Sequence, residues 1–545
     1  MIEIIIFSLI SNIMFFSYGN LIKFDYFSNN INNINNRSIV GCILVSFIAL
    51  FANFFIPLDK TFNSLLLLFG FVFFFLKKKF FTKKEIYFIV LSSIITSSLI
   101  IFSNVNRPDA GLYHLPYISI LNENKIIFGL TNIHFRFGLS SILQYLSAIN
   151  YNFLFEEKGI IIPLASIVSF FIIHFFNNVL KIFKSVESVS YKNVFSLFII
   201  IFISYKINRY SSFGNDAVAH LSYFYLISLL LDKDKNELKF ISLISIFIFL
   251  NKATMLIVLL IPLILFIKDF SIKNFKLVYS FAGLFLFSWI LKNIIISGCI
   301  IYPLPETCFN KLSWTDPVEI NQENISGEAW SKDWSNRDNK KISMDNYIKN
   351  FSWLLSWSKN HGLIIIKIVF PYLIFAILIA NLINRKKSSK YFLKIKKNSN
   401  FKILLIISLI GTILFFIKFP LYRYGYSYFI SFLILSLLLI IKNFDKEKLM
   451  MYSKILFIIC IISFSGKQIL RYIKNFDSQY IWPRIYSYEN NEKIRSKGIN
   501  LSQNFKVYLY DGLCMYSSSP CTTYKLKNNI SVKNVLSYKI IELKR

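Results

Sequence analysis

The chain has 545 residues, 55% of them hydrophobic, with 59 phenylalanines and a mean hydropathy of +0.53. No soluble domain buries that much apolar surface, so a soluble fold is excluded. The formal net charge of +32 would suggest nucleic acid in a soluble chain; here it follows from Lys and Arg gathered in short loops between apolar runs, and no nucleic-acid partner is expected.

Apolar runs of about 17–22 residues recur, each able to cross about 30 Å of hydrocarbon. Their patterning predicts an all-α polytopic membrane protein, a bundle of about fourteen transmembrane helices. The helices are expected at 2–21, 39–57, 62–76, 86–103, 159–180, 192–206, 216–231, 239–250, 254–268, 277–296, 362–383, 402–418, 425–441 and 449–465. Ile4–Tyr18 has no basic leader and no small-residue cleavage site, so it reads as a retained helix. Asn29–Asn36 is low in complexity and reads as a solvated loop.

Lys77-Lys78-Lys79 with Lys83-Lys84, and the stretch Arg385–Lys402, are basic and are placed on the cytoplasmic side. Alternation then puts 104–158, 207–215, 297–361 and the chain after 466 on the outer face. Leu112–Leu121 and Leu139–Ile149 are expected as interfacial helices within the first large outer segment. The segment 297–361 is rich in Trp (Trp314, Trp330, Trp334, Trp353, Trp357). It reads either as interface anchoring or as a covering loop over a site. In the tail, Phe505-Lys506-Val507-Tyr508-Leu509 alternates like a strand and Asp511-Gly512 signals a turn. Cys299 with Cys308, and Cys514 with Cys521, are the disulfide candidates. No CxxC metal spacing occurs.

The outer face gathers the chemistry. Asp109 lies in Arg107-Pro108-Asp109-Ala110-Gly111-Leu112-Tyr113-His114-Leu115-Pro116, directly after a membrane helix. Asp216 stands at the edge of the next outer segment, with His220 one turn on. His134 and Arg136 follow in His134-Phe135-Arg136-Phe137-Gly138, Lys252 in a tight turn, Lys292 near Trp289, and Arg423 in Tyr422-Arg423-Tyr424. Charged groups at a membrane boundary that face a bundle are functional candidates. The competing reading of Asp109 and Asp216 is a helix cap; that of Lys252 and Arg423 is a snorkelling anchor. Two carboxylates and several cations suit transfer from a lipid phosphate. The leaving group is already an anion and needs cations rather than an acid. The acceptor hydroxyl needs a base. On this reading Asp109 and Asp216 are catalytic, and Tyr113, His114, His134, Arg136, His220, Lys252, Lys292 and Arg423 bind substrate.

The order of these features resembles the GT-C superfamily of polyprenyl-phosphate-sugar glycosyltransferases, especially bacterial relatives of protein mannosyltransferases and the aminoarabinose transferase. In that family an Asp opens the first large outer loop, and Asp109 matches. A second acid sits in the next outer loop, and Asp216 matches. Asn251-Lys252-Ala253-Thr254 stands where the family has a Lys turn, and Trp289…Lys292-Asn293…Ser297-Gly298…Tyr302-Pro303 resembles its closing segment. The resemblance covers residues 86–303. It implies a GT-C-like catalytic membrane core, a polyprenyl-phosphate-linked sugar donor, and a glycan, glycolipid or protein acceptor at the outer face of a bacterial inner membrane. Ala110 replaces the family's neighbouring acid, so a divalent metal is left open with no ligands assigned.

The expected organisation is an accessory helical region at 1–85, the core at 86–303, a covering loop at 304–361, C-terminal helices at 362–465 and a small outer tail at 466–545. The rival readings are a polymerase or ligase of the O-antigen type, and a transporter or flippase. The transporter reading expects ionisable groups at mid-membrane; here they cluster at a boundary.

Overall fold

The computed structural model describes residues 2–22, 31–77, 82–101, 108–184, 189–206, 213–231, 238–268, 277–384, 392–393, 400–441, 444–474, 496–503, 505–510 and 512–544. Arg107 and most of the basic loops behind the expected sidedness lie outside them. Four helices open the chain: α1 (Ile2–Gly19), α2 (Ile31–Asn53), α3 (Lys60–Lys77) and α4 (Lys83–Ile101). Two short helices follow, α5 (Leu115–Glu123) and α6 (Ile142–Ile149). Then come α7 (Ile162–Lys184), α8 (Tyr191–Lys206), α9 (Asp216–Leu230), α10 (Leu238–Asn251), α11 (Leu260–Lys268) and α12 (Leu277–Ser297). The next segment holds α13 (Pro317–Ser331), α14 (Met344–Lys349) and α15 (Trp353–Trp357). The long helices α16 (Leu363–Ile383), α17 (Asn400–Lys418), α18 (Tyr422–Ile440) and α19 (Lys446–Lys474) complete the bundle.

Each expected apolar helix is present, but the helices differ in length. Among the described residues, nine helical stretches are long and apolar enough to cross a membrane. The helices at Lys60–Leu76, Asp216–Leu230, Phe240–Asn251 and Ala253–Ile267 are apolar but shorter, and α8 has 16 described residues. Hydropathy marks apolar helices, and a short buried core helix scores as well as a span. Asn29–Asn36 also differs from its reading: α2 begins at Ile31, and Asn35 and Asn36 are buried.

The core is organised on α7, which packs against α1, α2, α4, α6, α8, α9 and α19. The first two helices touch backbone to backbone. A Cβ on Gly19 would lie 1.8 Å from the Arg37 carbonyl oxygen, and one on Gly41 would lie 1.7 Å from that of Phe15. Only glycine admits so close an approach between apolar helices.

Leu115–Asn122 of α5 are all buried, so this helix is enclosed rather than lying half-exposed on an interface. Its polar groups are paired. Asn122 Nδ2 donates to the carbonyls of Leu58 (2.6 Å) and Ala148 (3.0 Å). The cover over α5 is the C-terminal tail. That tail holds a three-stranded sheet of Ser496–Ser502, Phe505–Tyr510 and Cys521–Thr522, and a hairpin of Ile530–Val535 with Tyr538–Leu543. The small outer region expected there is therefore a β region, and it docks onto the 108–158 segment. Met515 N donates to Gly111 O (2.9 Å), Ile541 N donates to Phe128 O (3.0 Å), and Phe128 N donates to Lys539 O (3.0 Å). At Gly129, with φ +65°, a Cβ would meet the Ile541 carbonyl at 2.4 Å and Trp314 Cβ at 2.6 Å. Glycine is needed there for both conformation and space. Both expected disulfides, Cys299–Cys308 and Cys514–Cys521, are formed; Cys42 and Cys460 are free and buried.

Candidate functional site

Pro108 and Asp109 lead into a single π-helical turn, Ala110–His114. Such turns re-aim side chains and are frequent at functional sites. Asp109 makes no capping hydrogen bond to this turn, so the cap reading fails. Its carboxylate faces two guanidiniums instead. Arg136 lies 3.6 Å from one oxygen, and Arg423 donates to the other at 3.1 Å. Arg136 comes from the short 3-10 turn Phe135–Leu139, and Arg423 from the first turn of α18.

Asp216 likewise makes no cap: the N-cap of α9 is Asn215, without a side-chain bond. Asp216 pairs with Lys252, the residue at which α10 gives way to the 3-10 turn Ala253–Leu259. The Lys252 ammonium also donates to the Arg423 carbonyl (2.8 Å). That same carbonyl accepts from His220 Nε2 (2.8 Å), while Ser427 Oγ sits 2.7 Å from His220 Nδ1. The bond to the carbonyl requires the proton on Nε2. Residue 423 is thus the joint of the site: its guanidinium reaches Asp109, and its carbonyl gathers Lys252 and His220.

His114 feels the charges of Asp109, Arg136, Asp216 and Arg423. Gln144 Nε2 lies 3.2 Å from His114 Nδ1, and Gln144 is oriented in turn by accepting from Ser141 N at 2.7 Å. Burial pushes the His114 imidazole down to about 4, against the pull of Asp109 and Asp216, so the ring is neutral near pH 7. The Tyr113 ring lies 4.2 Å from His114, with the Arg136 guanidinium 5.4 Å from its centre. Burial and Asp109 raise the Tyr113 phenol above its ordinary range, so it stays protonated.

Not every sequence candidate joins this cluster. His134 is buried; its Nδ1 accepts from Arg136 N (3.1 Å), and its ring meets Tyr524 of the tail at 4.8 Å. It shapes the Arg136 turn. Burial holds its imidazole down to about 3. Lys292 is fully buried, with Ser140 Oγ at 2.7 Å, Asn293 Oδ1 at 2.9 Å and the Trp289 ring at 3.7 Å. It supports the far end of the same turn. Sequence reasoning missed Gln144, Ser427, Tyr424 and Glu323. Tyr424 takes a 3.1 Å bond from Arg423, and its adjacency to Arg423 was the available signal.

The segment 304–361 lies against this cluster. Asp316 caps α13 by accepting from Val318 N and Glu319 N, both at 3.1 Å. Lys527 of the tail pairs with Asp316 and Glu319. At the other end, Glu328 pairs with Lys332 (2.6 Å) and Lys418 (3.1 Å). Buried Ile320 packs with Tyr302 and Phe135, and Glu323 lies one turn further along α13. Burial and Glu319 push the Glu323 carboxyl up to about 7, opposed by Arg136. A raised folded value costs stability as pH rises. The fold holds a proton that the unfolded chain releases near 4.5, so stability falls between that pH and about 7 and is flat above. Glu323→Gln is therefore expected to melt higher than wild type at pH 8, with the gap closing as pH falls to 4.5. Thermal scans across that range check it; a constant gap contradicts it.

Among the described residues, no group of three or more His, Cys, Asp or Glu is placed to hold a metal. Asp109 and Asp216 are each turned to cations rather than to one another. The pair therefore does not form a carboxylate cradle for a divalent ion.

Fold and site together define a multi-pass membrane protein with a charged cluster at one end of its bundle. The chain belongs to the family described as Domain of unknown function (DUF8201), whose model matches residues 1–430. That range contains every member of the charged cluster and stops short of the tail. No curated protein and no solved structure matches the chain.

Proposed function

We propose that this protein is a membrane glycosyltransferase of the GT-C type, moving one sugar from a polyprenyl-phosphate donor to an acceptor at the outer face of a bacterial plasma membrane. The observation that carries the reading is the convergence of Asp109, Arg136, Arg423, Asp216 and Lys252 from five separate segments. Three cations against two carboxylates leave this group one positive charge. A sugar phosphodiester brings one negative charge, and the departing lipid phosphate gains another. Cations already fixed in place stabilise that gain without reorganising. Arg136 and Arg423 suit a phosphate's paired oxygens, and Lys252 acts as a point charge. When the phosphate takes the guanidiniums, Asp109 is released toward the acceptor. The acceptor oxygen then bonds to the anomeric carbon, the carbon–phosphate-oxygen bond breaks, and Asp109 takes the hydroxyl proton. One displacement inverts the anomeric centre. His220 and Tyr113 hold the surrounding groups.

The two disulfides support an outer location for residues 297–361 and the tail, because such bonds persist in oxidising compartments. The five shorter apolar helices are read as additional spans, met by local thinning of the bilayer.

The test is transfer by the purified chain in lipid nanodiscs, supplied with polyprenyl-phosphate sugars and membrane glycolipid acceptors. Asp109→Asn is expected to lower turnover by about 100-fold or more while the donor still binds. Full transfer by this variant would remove Asp109 from the chemistry.

A further inference from the structure

The end of α13 presents a feature that the transfer mechanism has not used. Trp330 is 53% exposed, although its neighbours Ala329 and Ser331 are fully buried. The helix is not loose there. Glu328 is tied to Lys332 and Lys418, and Ser331 Oγ donates to the Lys418 carbonyl at 3.3 Å. Trp357 Nε1 also donates to Pro420 O at 2.7 Å, fastening the covering segment to the turn before α18. An indole held open on a fixed frame leaves apolar surface in water, a loss that burial against a ligand recovers.

Its surroundings state which ligand. The Arg423 guanidinium lies 5.7 Å from the Trp330 ring, and the same guanidinium is 3.1 Å from Asp109. Tyr424, bonded to Arg423, adds a second aromatic ring with the Arg423 guanidinium 5.0 Å from its centre. A pyranose has one face of C–H groups and a rim of hydroxyls. An open indole beside a guanidinium suits such a sugar joined to a phosphate: the ring takes the C–H face, the hydroxyl rim stays in water, and the guanidinium takes the phosphate. A lipid tail would match the indole but not the ion pair beside it. The helix that carries Trp330 is polar along Asn321-Gln322-Glu323-Asn324, so it does not favour the hydrocarbon.

We propose that Trp330 is a sugar-binding platform, on which the pyranose of the lipid-phosphate donor rests while its phosphate lies on Arg423. This rests on the transferase reading and adds to it a residue that recognises the sugar rather than the phosphate. A flat indole contributes contact area and orientation, so its loss weakens sugar binding more than it slows the bond change.

The test uses the full chain labelled with 5-fluorotryptophan in nanodiscs of phosphatidylethanolamine and phosphatidylglycerol. The Trp330 fluorine signal is assigned by its disappearance in Trp330→Phe. Undecaprenyl phosphate is compared with undecaprenyl phosphates bearing glucose, mannose or aminoarabinose. The expected result is a shift of the Trp330 signal with at least one sugar-bearing lipid and none with undecaprenyl phosphate alone. In transfer assays, Trp330→Ala is expected to raise donor KM on the order of tenfold with kcat little changed, and Trp330→Phe to restore most of it. An equal shift with and without the sugar overturns the proposal, as does a shift that follows only the nanodisc lipid, which marks a membrane anchor. Sugar-dependent transfer by wild type with an unmoved Trp330 signal overturns the platform and leaves the transferase reading standing. Absence of both binding and transfer by wild type with every donor overturns both.

Discussion

Arg423→Ala is expected to reduce kcat/KM for sugar transfer by about 100- to 1000-fold, the scale for removing one fixed donor from a developing anion. The side chain donates to Asp109 at 3.1 Å and to the Tyr424 hydroxyl at 3.1 Å. Its loss frees Asp109 from one of two partners and removes half of the guanidinium pair offered to phosphate. Arg423→Lys is expected to recover less than about a tenth of the lost activity, because one ammonium cannot serve two directions as a planar fork does. The fold is expected to survive both changes. The contacts that position residue 423 against Lys252 and His220 use its carbonyl, which neither substitution removes. Monodisperse elution and an unchanged melting temperature would therefore accompany the lost activity. An Arg423→Ala protein that keeps more than a tenth of wild-type kcat/KM places the phosphate elsewhere.

The sequence was informative wherever one residue's chemistry and its boundary position were enough. Asp109, Arg136, Asp216, Lys252 and Arg423 stand out because a charge beside a long apolar run is costly unless it has a use. The structure brings these five together. Lys292 has the same signature, a basic residue near the end of an apolar helix, yet it lies buried against Ser140, Asn293 and Trp289. Hydropathy cannot tell a lysine turned to solvent from one turned inward. Gln144 carried no signal at all: its tie to His114 spans two helices that meet only in the fold. The alternation of Phe505–Leu509 announced a strand, but not that the tail would close over α5. That docking depends on Gly129, Asn132 and Trp314, where Asn132 Nδ2 reaches the carbonyls of Trp314 (2.9 Å) and Ile541 (3.1 Å). Such long-range pairing leaves no local pattern. Among the described residues, length and composition single out nine spans rather than fourteen for a related reason, since burial in protein and burial in lipid select the same apolar side chains.

The Asp216–Lys252 pair separates a structural clamp from a phosphate site. It joins the start of α9 to the end of α10, with Lys252 only 7% and Asp216 18% exposed. Asp216→Asn leaves a nearly buried ammonium without its carboxylate, and Lys252→Met leaves the carboxylate without that ammonium. Each single change is expected to cost about 3 kcal/mol of stability, the scale for breaking a buried pair from one side. The double variant Asp216→Asn with Lys252→Met removes both charges and is expected to regain most of that loss, because no isolated charge remains to desolvate. Activity follows a different rule. If Lys252 carries charge to the departing phosphate, all three variants stay at least about 100-fold below wild type, and restored stability restores nothing. Melting temperatures and kcat measured on the same four preparations decide the matter. A double variant that recovers stability and transfer together reduces the pair to a clamp between α9 and α10, and leaves the two arginines to hold the phosphate alone.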